Sequence, residues 1–523
     1  MHGTYGVPLR SGCLLLCAVA VAAAADQVKV EGGALEGIAG ADSAVRIFEG
    51  VPFAAPPVGV LRWQAPQPAA AWTGVRKADQ FGARCYQGNI FGDMIFRDKG
   101  ISEDCLYLNV WTPSPAKKHL PVLVYFYGGG FAAGSGDEPR YDGTTFAKKG
   151  IIVVTVNYRL GVFGFLAHPE LTAESPHKAS GNYGMLDQVA ALQWVHRNIA
   201  AFGGDPGKVT IGGESAGSAA VSALMASPLA AGLFRGAIGE SGAMFNTGGI
   251  LAGQPLDKAE KAGVSLGTAL GAKSLAEMRA ASAADVLKAA GGSIRFGPII
   301  DGYFLTAEPA STYAAGKQSH VALLAGWNAD EVRGGVLGRK ATITAASFHG
   351  QLTSVFGDKA GAAAKVYAAS TDAEALASAG DLANDTFIVY STWKWIEMQA
   401  ATGQAPVYRF RFDRPVPLPE GMTIPGVKGL AGHSWELEYV FGALASKKAA
   451  WTPEDLKASE EISTYFANFI RKANPNGGGL PKWPAFGKAH EVMHLDAACH
   501  AAPEEHRDRY VFLDGFYTGA AQK

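Results

Sequence analysis

Short apolar runs bounded by glycine, proline and polar residues recur along the chain, separated by longer stretches in which apolar residues return every third or fourth position. Runs at 106–111, 122–126, 151–156, 209–212, 237–238, 321–325 and 407–412 predict strands, and 185–199 is among the stretches that predict helices. Strands alternating with helices imply an α/β fold with a central, mostly parallel sheet flanked by helices on both faces. Upstream, apolar runs over 28–48 broken by Gly32-Gly33 and Gly37 predict hairpin strands, and Ala54-Ala55-Pro56-Pro57-Val58-Gly59 predicts a loop.

Two Ala-rich regions, 252–290 and 362–399, have helical spacing and are expected to form a helical layer that walls a site at the strand ends. The stretch 453–472 places Leu456, Ile462, Phe466, Phe469 and Ile470 roughly on one face and stops at Asn474-Pro475-Asn476-Gly477, which predicts a packing helix with a defined end. Neither repeats nor a linker-like stretch interrupts the chain, so residues 26–523 read as a single catalytic domain.

The first 25 residues follow another logic. Arg10 precedes an uncharged run to Ala25 with Leu14, Leu15 and Leu16, ending in four alanines before Asp26. The apolar core is shorter than the ~20 residues a membrane span requires, so 1–25 predicts a secretory leader cut near Ala25, no stable membrane span, and a secreted or periplasmic protein. In an oxidising compartment, loss of Cys13 and Cys17 leaves Cys85, Cys105 and Cys499 of the five cysteines. Cys85 and Cys105 are the natural pair, closing a surface loop worth about 3 kcal/mol, with Cys499 left as a buried thiol. Of the 523 residues 48% are hydrophobic and the net charge is -1, which supports a large core and a small or neutral substrate and argues against nucleic acid. Oligomeric state is open.

The chemistry is concentrated at Gly213-Glu214-Ser215-Ala216-Gly217, between the apolar run Val209-Thr210-Ile211-Gly212 and a small-residue stretch of helical character. Such a strand-to-helix turn lifts a serine hydroxyl out of the sheet, and its glycines are required because a Cβ there would strike neighbouring elements. The helix that follows directs its positive end at the same point, where an anion would also meet the N–H of Ala216. With 66 glycines in the chain the pentapeptide alone is a modest signal, but a second glycine run, Tyr127-Gly128-Gly129-Gly130-Phe131, ends another strand and offers bare backbone for an oxyanion hole. A serine needs a histidine to accept its proton and an acid to orient that histidine. Beyond the strand at 321–325 lie Asp330 and Glu331, of which Glu331 is preferred. Later in the chain come His349, His433, His490, His494, His500 and His506, of which His433 has the best loop setting.

Four motifs make the chain resemble the type-B carboxylesterase and cholinesterase family of α/β hydrolases from about Val28 to the C-terminal region. They are Phe202-Gly203-Gly204-Asp205-Pro206 leading to Gly213-Glu214-Ser215-Ala216-Gly217; Glu103-Asp104-Cys105-Leu106-Tyr107-Leu108-Asn109-Val110-Trp111; Gly326-Trp327-Asn328-Ala329-Asp330-Glu331; and Gly432-His433-Ser434-Trp435-Glu436 with Phe441-Gly442. The resemblance implies an α/β-hydrolase fold and a serine esterase that forms an acyl-enzyme on small to medium carboxylic esters without metal or organic cofactor. It implies Ser215 as nucleophile, His433 as base and then acid, Glu331 as orienting carboxylate, and Gly129, Gly130 and Ala216 as oxyanion donors. It also implies the Cys85–Cys105 disulfide and the ion pairs Arg62–Glu103 and Arg159–Asp187. Cholinesterases carry a choline-binding tryptophan in the disulfide loop, but here Ile95 holds that position and the loop lacks tryptophan, which argues against choline esters. Ile90, Phe91, Met94, Ile95 and Phe96 in that loop are candidates for an apolar lid or acyl-pocket wall, simple packing on the core being the alternative.

Two competing readings remain. His490-Glu491-Val492-Met493-His494 spells a zinc-peptidase motif, but that motif works only on a helix and this stretch reads as a strand, so no metal site is expected. A binding protein on an inactive hydrolase frame would lack part of the Ser-acid-His set, which this chain retains.

Overall fold

The computed structural model describes residues 1–3, 27–245, 251–291, 296–338, 342–418, 423–424 and 427–520. Apart from its first three residues, the leader expected over 1–25 lies outside them, as do Cys13 and Cys17.

An 11-stranded sheet organises the protein. From one edge its strands are His500–Pro503, Glu491–Leu495, Val407–Phe412, Ala322–Asn328, Gly236–Glu240, Gly204–Glu214, Leu120–Phe126, Ile152–Val156, Tyr107–Pro113, Val45–Pro52 and Ile38–Ala39. Those from Glu491–Leu495 through Ile152–Val156 run parallel, and the strands at the two edges are antiparallel. The parallel strands are covered on both faces, which is why Ile152–Val156 and Ala322–Asn328 are buried at every position and read as continuous apolar runs rather than alternating ones. The expected hairpin over 28–48 also forms: Gln27–Val30 pairs with Gly33–Glu36 in a separate 3-stranded sheet.

Helices cover the sheet. Tyr183–Asn198 spans the predicted stretch, and Ala216–Ala226 is buried throughout, because its small side chains let it lie close against the strands it follows. The helix Pro453–Lys472 begins with a Thr452 capping box and ends at left-handed Ala473. Its buried face includes Ala458, Ile462, Phe466 and Ile470, but Leu456 is 62% exposed. At 100° per residue Leu456 falls away from the face centred on Ile462, which corrects the reading that put it on the packing side.

The expected helical wall is divided. In the first Ala-rich region, Leu256–Leu270, Leu275–Ala280 and Ala283–Ala289 pack a satellite core with Trp63, Phe163 and Tyr183, and among the described residues of that part of the chain only Leu251, just before them, lines the cavity described below. The second region forms Ala360–Val366, Asp372–Asn384 and Tyr390–Thr402 and does contribute to the cavity, through residues described below. Among the described residues no helix is long and apolar enough to cross a membrane.

Candidate active site

Ser215 stands between the strand Gly204–Glu214 and the helix Ala216–Ala226 with φ 55° and ψ -119°, a conformation costly for a non-glycine residue and held here by the surroundings. Its N–H donates to Glu240 O at 2.8 Å and its carbonyl accepts from Ala219 N–H at 2.9 Å. A Cβ on Gly213 would meet the Gly217 backbone, and one on Gly217 would meet the Phe126 carbonyl, so both glycines are steric requirements of this turn.

The other site residues arrive from distant parts of the chain. The neighbouring parallel strand but one, Ala322–Asn328, delivers Glu331 just past its end, and the loop after Gly429–Leu430 delivers His433. His433 Nε2 lies 3.0 Å from Ser215 Oγ, and Nδ1 lies 2.6 Å from Glu331 Oε2. The other Glu331 oxygen accepts the Asn328 N–H at 2.8 Å, which fixes the carboxylate. Asp330, the alternative acid, is used elsewhere: it accepts the Ala431 N–H and pairs with Arg333.

Gly129 and Gly130 line the same cavity with φ of 104° and 64°, and among the described residues their N–H groups make no hydrogen bond. A Cβ on Gly128 would stand 3.0 Å from the Ser215 Cβ, so the glycine run packs directly against the serine turn. Tyr127 braces it from behind: its ring stacks on Tyr158 at 4.4 Å and the two phenols donate to each other's carbonyls. Ala216 opens its helix, so its N–H has no intrahelical acceptor. Gly129, Gly130, Ser215 and His433 line a cavity of about 550 Å³, with Glu331 buried behind the histidine.

Glu214 has no role in the sequence motif reading, yet its Oε1 lies 3.2 Å from His433 Nε2 and it too lines the cavity. Burial pushes its carboxyl up to about 7. Burial also disfavours a charged His433, but the Glu214 and Glu331 carboxylates outweigh that and raise the imidazole to about 9. Beneath them Glu240, which accepts the Tyr125 hydroxyl at 3.0 Å, is raised to about 8 by burial, and burial holds Glu436 well above the carboxylate range.

The Cys85–Cys105 disulfide is present and Cys499 is a buried free thiol, raised to about 12 by burial and so inert as a nucleophile. The loop it closes divides its apolar residues. Phe91 and Met94 line the cavity, Ile90 and Ile95 are exposed, and Phe96 lies under the Arg84 guanidinium, so only two of the five are wall residues. Gln87 ties the loop to the segment just after the glycine run through paired bonds of 2.8 Å with the Gly134 N–H and carbonyl. Arg62 pairs with Glu103 and Arg159 with Asp187, as the motifs implied.

The zinc-like motif lies on the strand Glu491–Leu495 and its histidines do not converge. His494 Nδ1 pairs with Asp413 at 2.6 Å, while His490 stands beside Glu397 and Glu504, a trio close enough to be metal ligands. Both of those carboxylates already pair with Arg507, and Glu504 also pairs with Arg409, so the cluster is a neutralised ion network.

Parallel strands with a strained serine turn at the end of a central one, and an acid and a histidine arriving in that order, define an α/β hydrolase. Residues 24–511 match the carboxylesterase family. Over 500 residues the chain is 38% identical to the fumonisin B1 esterase of Sphingopyxis macrogoltabida, covering 91% of this chain and 88% of that protein. It is 34% identical over 483 residues to the para-nitrobenzyl esterase of Bacillus subtilis, covering 87% and 92%. Among solved structures, a PNB esterase superposes with a TM-score of 0.80 at 32% identity, covering 94% of this chain and 99% of that one. A carboxylesterase of Geobacillus stearothermophilus does so with a TM-score of 0.80 at 32% identity, covering 93% and 100%. The chain belongs to the type-B carboxylesterase family and is an ester hydrolase.

Proposed function

We propose that this hydrolase cleaves small to medium carboxylic esters through Ser215, His433 and Glu331. Ser215 Oγ attacks the ester carbonyl as His433 Nε2 takes its proton, and the oxyanion that forms is bound by the N–H groups of Gly129, Gly130 and Ala216. Collapse expels the alcohol, which leaves with the proton from His433, and water then repeats the sequence in reverse roles to free the acid. Glu331 holds the imidazole in the tautomer that can accept at Nε2. The reading calls for no metal or organic cofactor.

The observation that carries it is the continuous pair of contacts from Ser215 Oγ to His433 at 3.0 Å and from His433 to Glu331 at 2.6 Å. The substrate range rests on a cavity of about 550 Å³ walled by Phe91, Met94, Tyr141, Leu251, Phe387 and Tyr517, a size and character suited to small organic esters. Choline esters are disfavoured because the disulfide loop carries no tryptophan. Residues 26–523 then form one catalytic domain, released outside the cytoplasm after removal of residues 1–25, and the disulfide is in keeping with that compartment.

Ser215→Ala should abolish turnover of a panel of esters varying in acyl length and alcohol size, and an organophosphorus reagent should label the parent protein once, at Ser215. A protein that turns over esters but resists the label, or a Ser215→Ala variant with near-normal rates, would overturn this assignment. A chain that neither reacts nor turns over would be an inactive scaffold.

A further inference from the structure

The helix Asp372–Asn384 continues into Tyr390–Thr402 through a π-helical turn, Asp385–Val389. A π turn carries one residue more than the α-helical register and persists only where its neighbours hold it. Here they do. Asp385 is buried, accepts the Tyr367 hydroxyl at 2.9 Å and lies 3.1 Å from Arg509 Nε, while Ile388 and Val389 are in the core. Between these anchors Thr386 and Phe387 line the catalytic cavity.

Phe387 is 37% exposed, so it adds little to the core that its neighbours build. Its ring instead stands against the imidazole of His433, with centroids 5.1 Å apart and planes at 79°. His433 is hydrogen-bonded at Nδ1 to Glu331 and at Nε2 to Ser215, and among the described residues Glu214 Oε1, 3.2 Å from Nε2, adds no hydrogen bond. Such contacts leave the ring free to tilt away from the serine, and an aromatic body bearing on it opposes that tilt at an edge-to-face distance where such pairs attract.

We propose that Phe387 is a positioning residue for this reaction: presented by the π turn, it holds the His433 ring in line between Ser215 and Glu331 and bounds the space left for the substrate. The inference rests on the Ser215–His433–Glu331 reading and adds to it a residue on an element far from all three in sequence.

The test uses the full-length protein with Phe387→Ala, Phe387→Leu and Phe387→Tyr. For a short ester such as p-nitrophenyl acetate, the Ala and Leu variants should lose about tenfold in kcat with KM changed less than about twofold, since a misdirected base costs rate rather than binding. Sulfonylation of Ser215 by methanesulfonyl fluoride, too small to need the wall, should slow by a similar factor, and Tyr should restore most of both. With the wall removed, the Ala variant should shift preference towards a bulky p-nitrophenyl ester. Unchanged kcat and sulfonylation in a folded Ala or Leu variant would overturn the proposal. So would a loss that tracks a lowered melting temperature and that Tyr does not repair. Should Ala fail to fold, Leu, which keeps an apolar wall without a ring, decides alone. Turnover surviving Ser215→Ala would instead remove the underlying reading, an outcome distinct from any result at Phe387.

Discussion

Glu331 and His433 are tied to each other twice. The His433 N–H donates to the Glu331 carbonyl at 2.9 Å, and the two side chains meet at 2.6 Å. The backbone bond docks the histidine loop on the turn after the strand Ala322–Asn328 whatever the side chain at 331 is. Replacing that side chain therefore tests the carboxylate and not the loop. Glu331→Gln should lower kcat by roughly 10³ to 10⁴ with an unchanged melting temperature, because an amide favours the wrong imidazole tautomer. Asp330→Asn should leave kcat within about threefold, since Asp330 faces Arg333 and Ala431 and not the imidazole. Steady-state kinetics beside thermal melts separate the two, and the reverse pattern would exchange their roles.

Glu214 should set the acid limb of the pH profile. The neutral imidazole is the base, so kcat/KM rises as pH passes upward through the His433 ionisation. Burial disfavours the imidazolium, but Glu214 and Glu331 outweigh it and raise the ionisation from 6.5 to about 9. Removing one of those charges destabilises the imidazolium and moves the limb to lower pH. In Glu214→Gln the midpoint of kcat/KM against pH should fall relative to the parent, and a rise or no movement would show that Glu214 carries no charge next to His433 in the free enzyme.

The glycine run should tolerate no side chain. Gly129 has a φ of 104°, and a Cβ there would collide with the Ala133 carbonyl. Gly129→Ala must shift the loop and misplace its N–H groups, for an expected loss of about 10² to 10³ in kcat with little change in KM. An acyl-transfer rate close to that of the parent would place oxyanion stabilisation elsewhere.

A buried ion pair should dominate the stability of the layer behind the site. Arg159 donates Nε at 2.8 Å and Nη2 at 2.7 Å to Asp187, whose side chain is fully buried, and its own N–H reaches the same carboxylate. Asp187→Asn strands the guanidinium and should cost about 3 to 5 kcal/mol in denaturant unfolding. A loss below about 1 kcal/mol would mean that the charge finds water in the folded state.

Much of the architecture is legible in local pattern. The runs at 122–126, 151–156 and 407–412 match the strands to within two residues, because strands buried on both faces are mostly apolar along their length, with Arg409 and Arg411 the exceptions in the last. The serine turn is equally local, since two steric glycines, a strand and a helix are adjacent in the chain. Leu456 marks the limit of such reading. It is apolar and in a helix, yet it projects away from the face that packs, and a roughly drawn helical stripe admitted it.

What the chain alone settled, then, was the identity of its strands, the serine turn and a short set of acids and histidines to serve it, all features decided by neighbours a few residues apart. The contact of Glu331 with His433, the second carboxylate at His433 and the π turn that presents Phe387 came from folding. Each depends on which strand lies beside which, and on loops separated by a hundred residues or more meeting at the same strand ends. Side-chain convergence of that kind is a property of sheet order and packing, and no local periodicity encodes it.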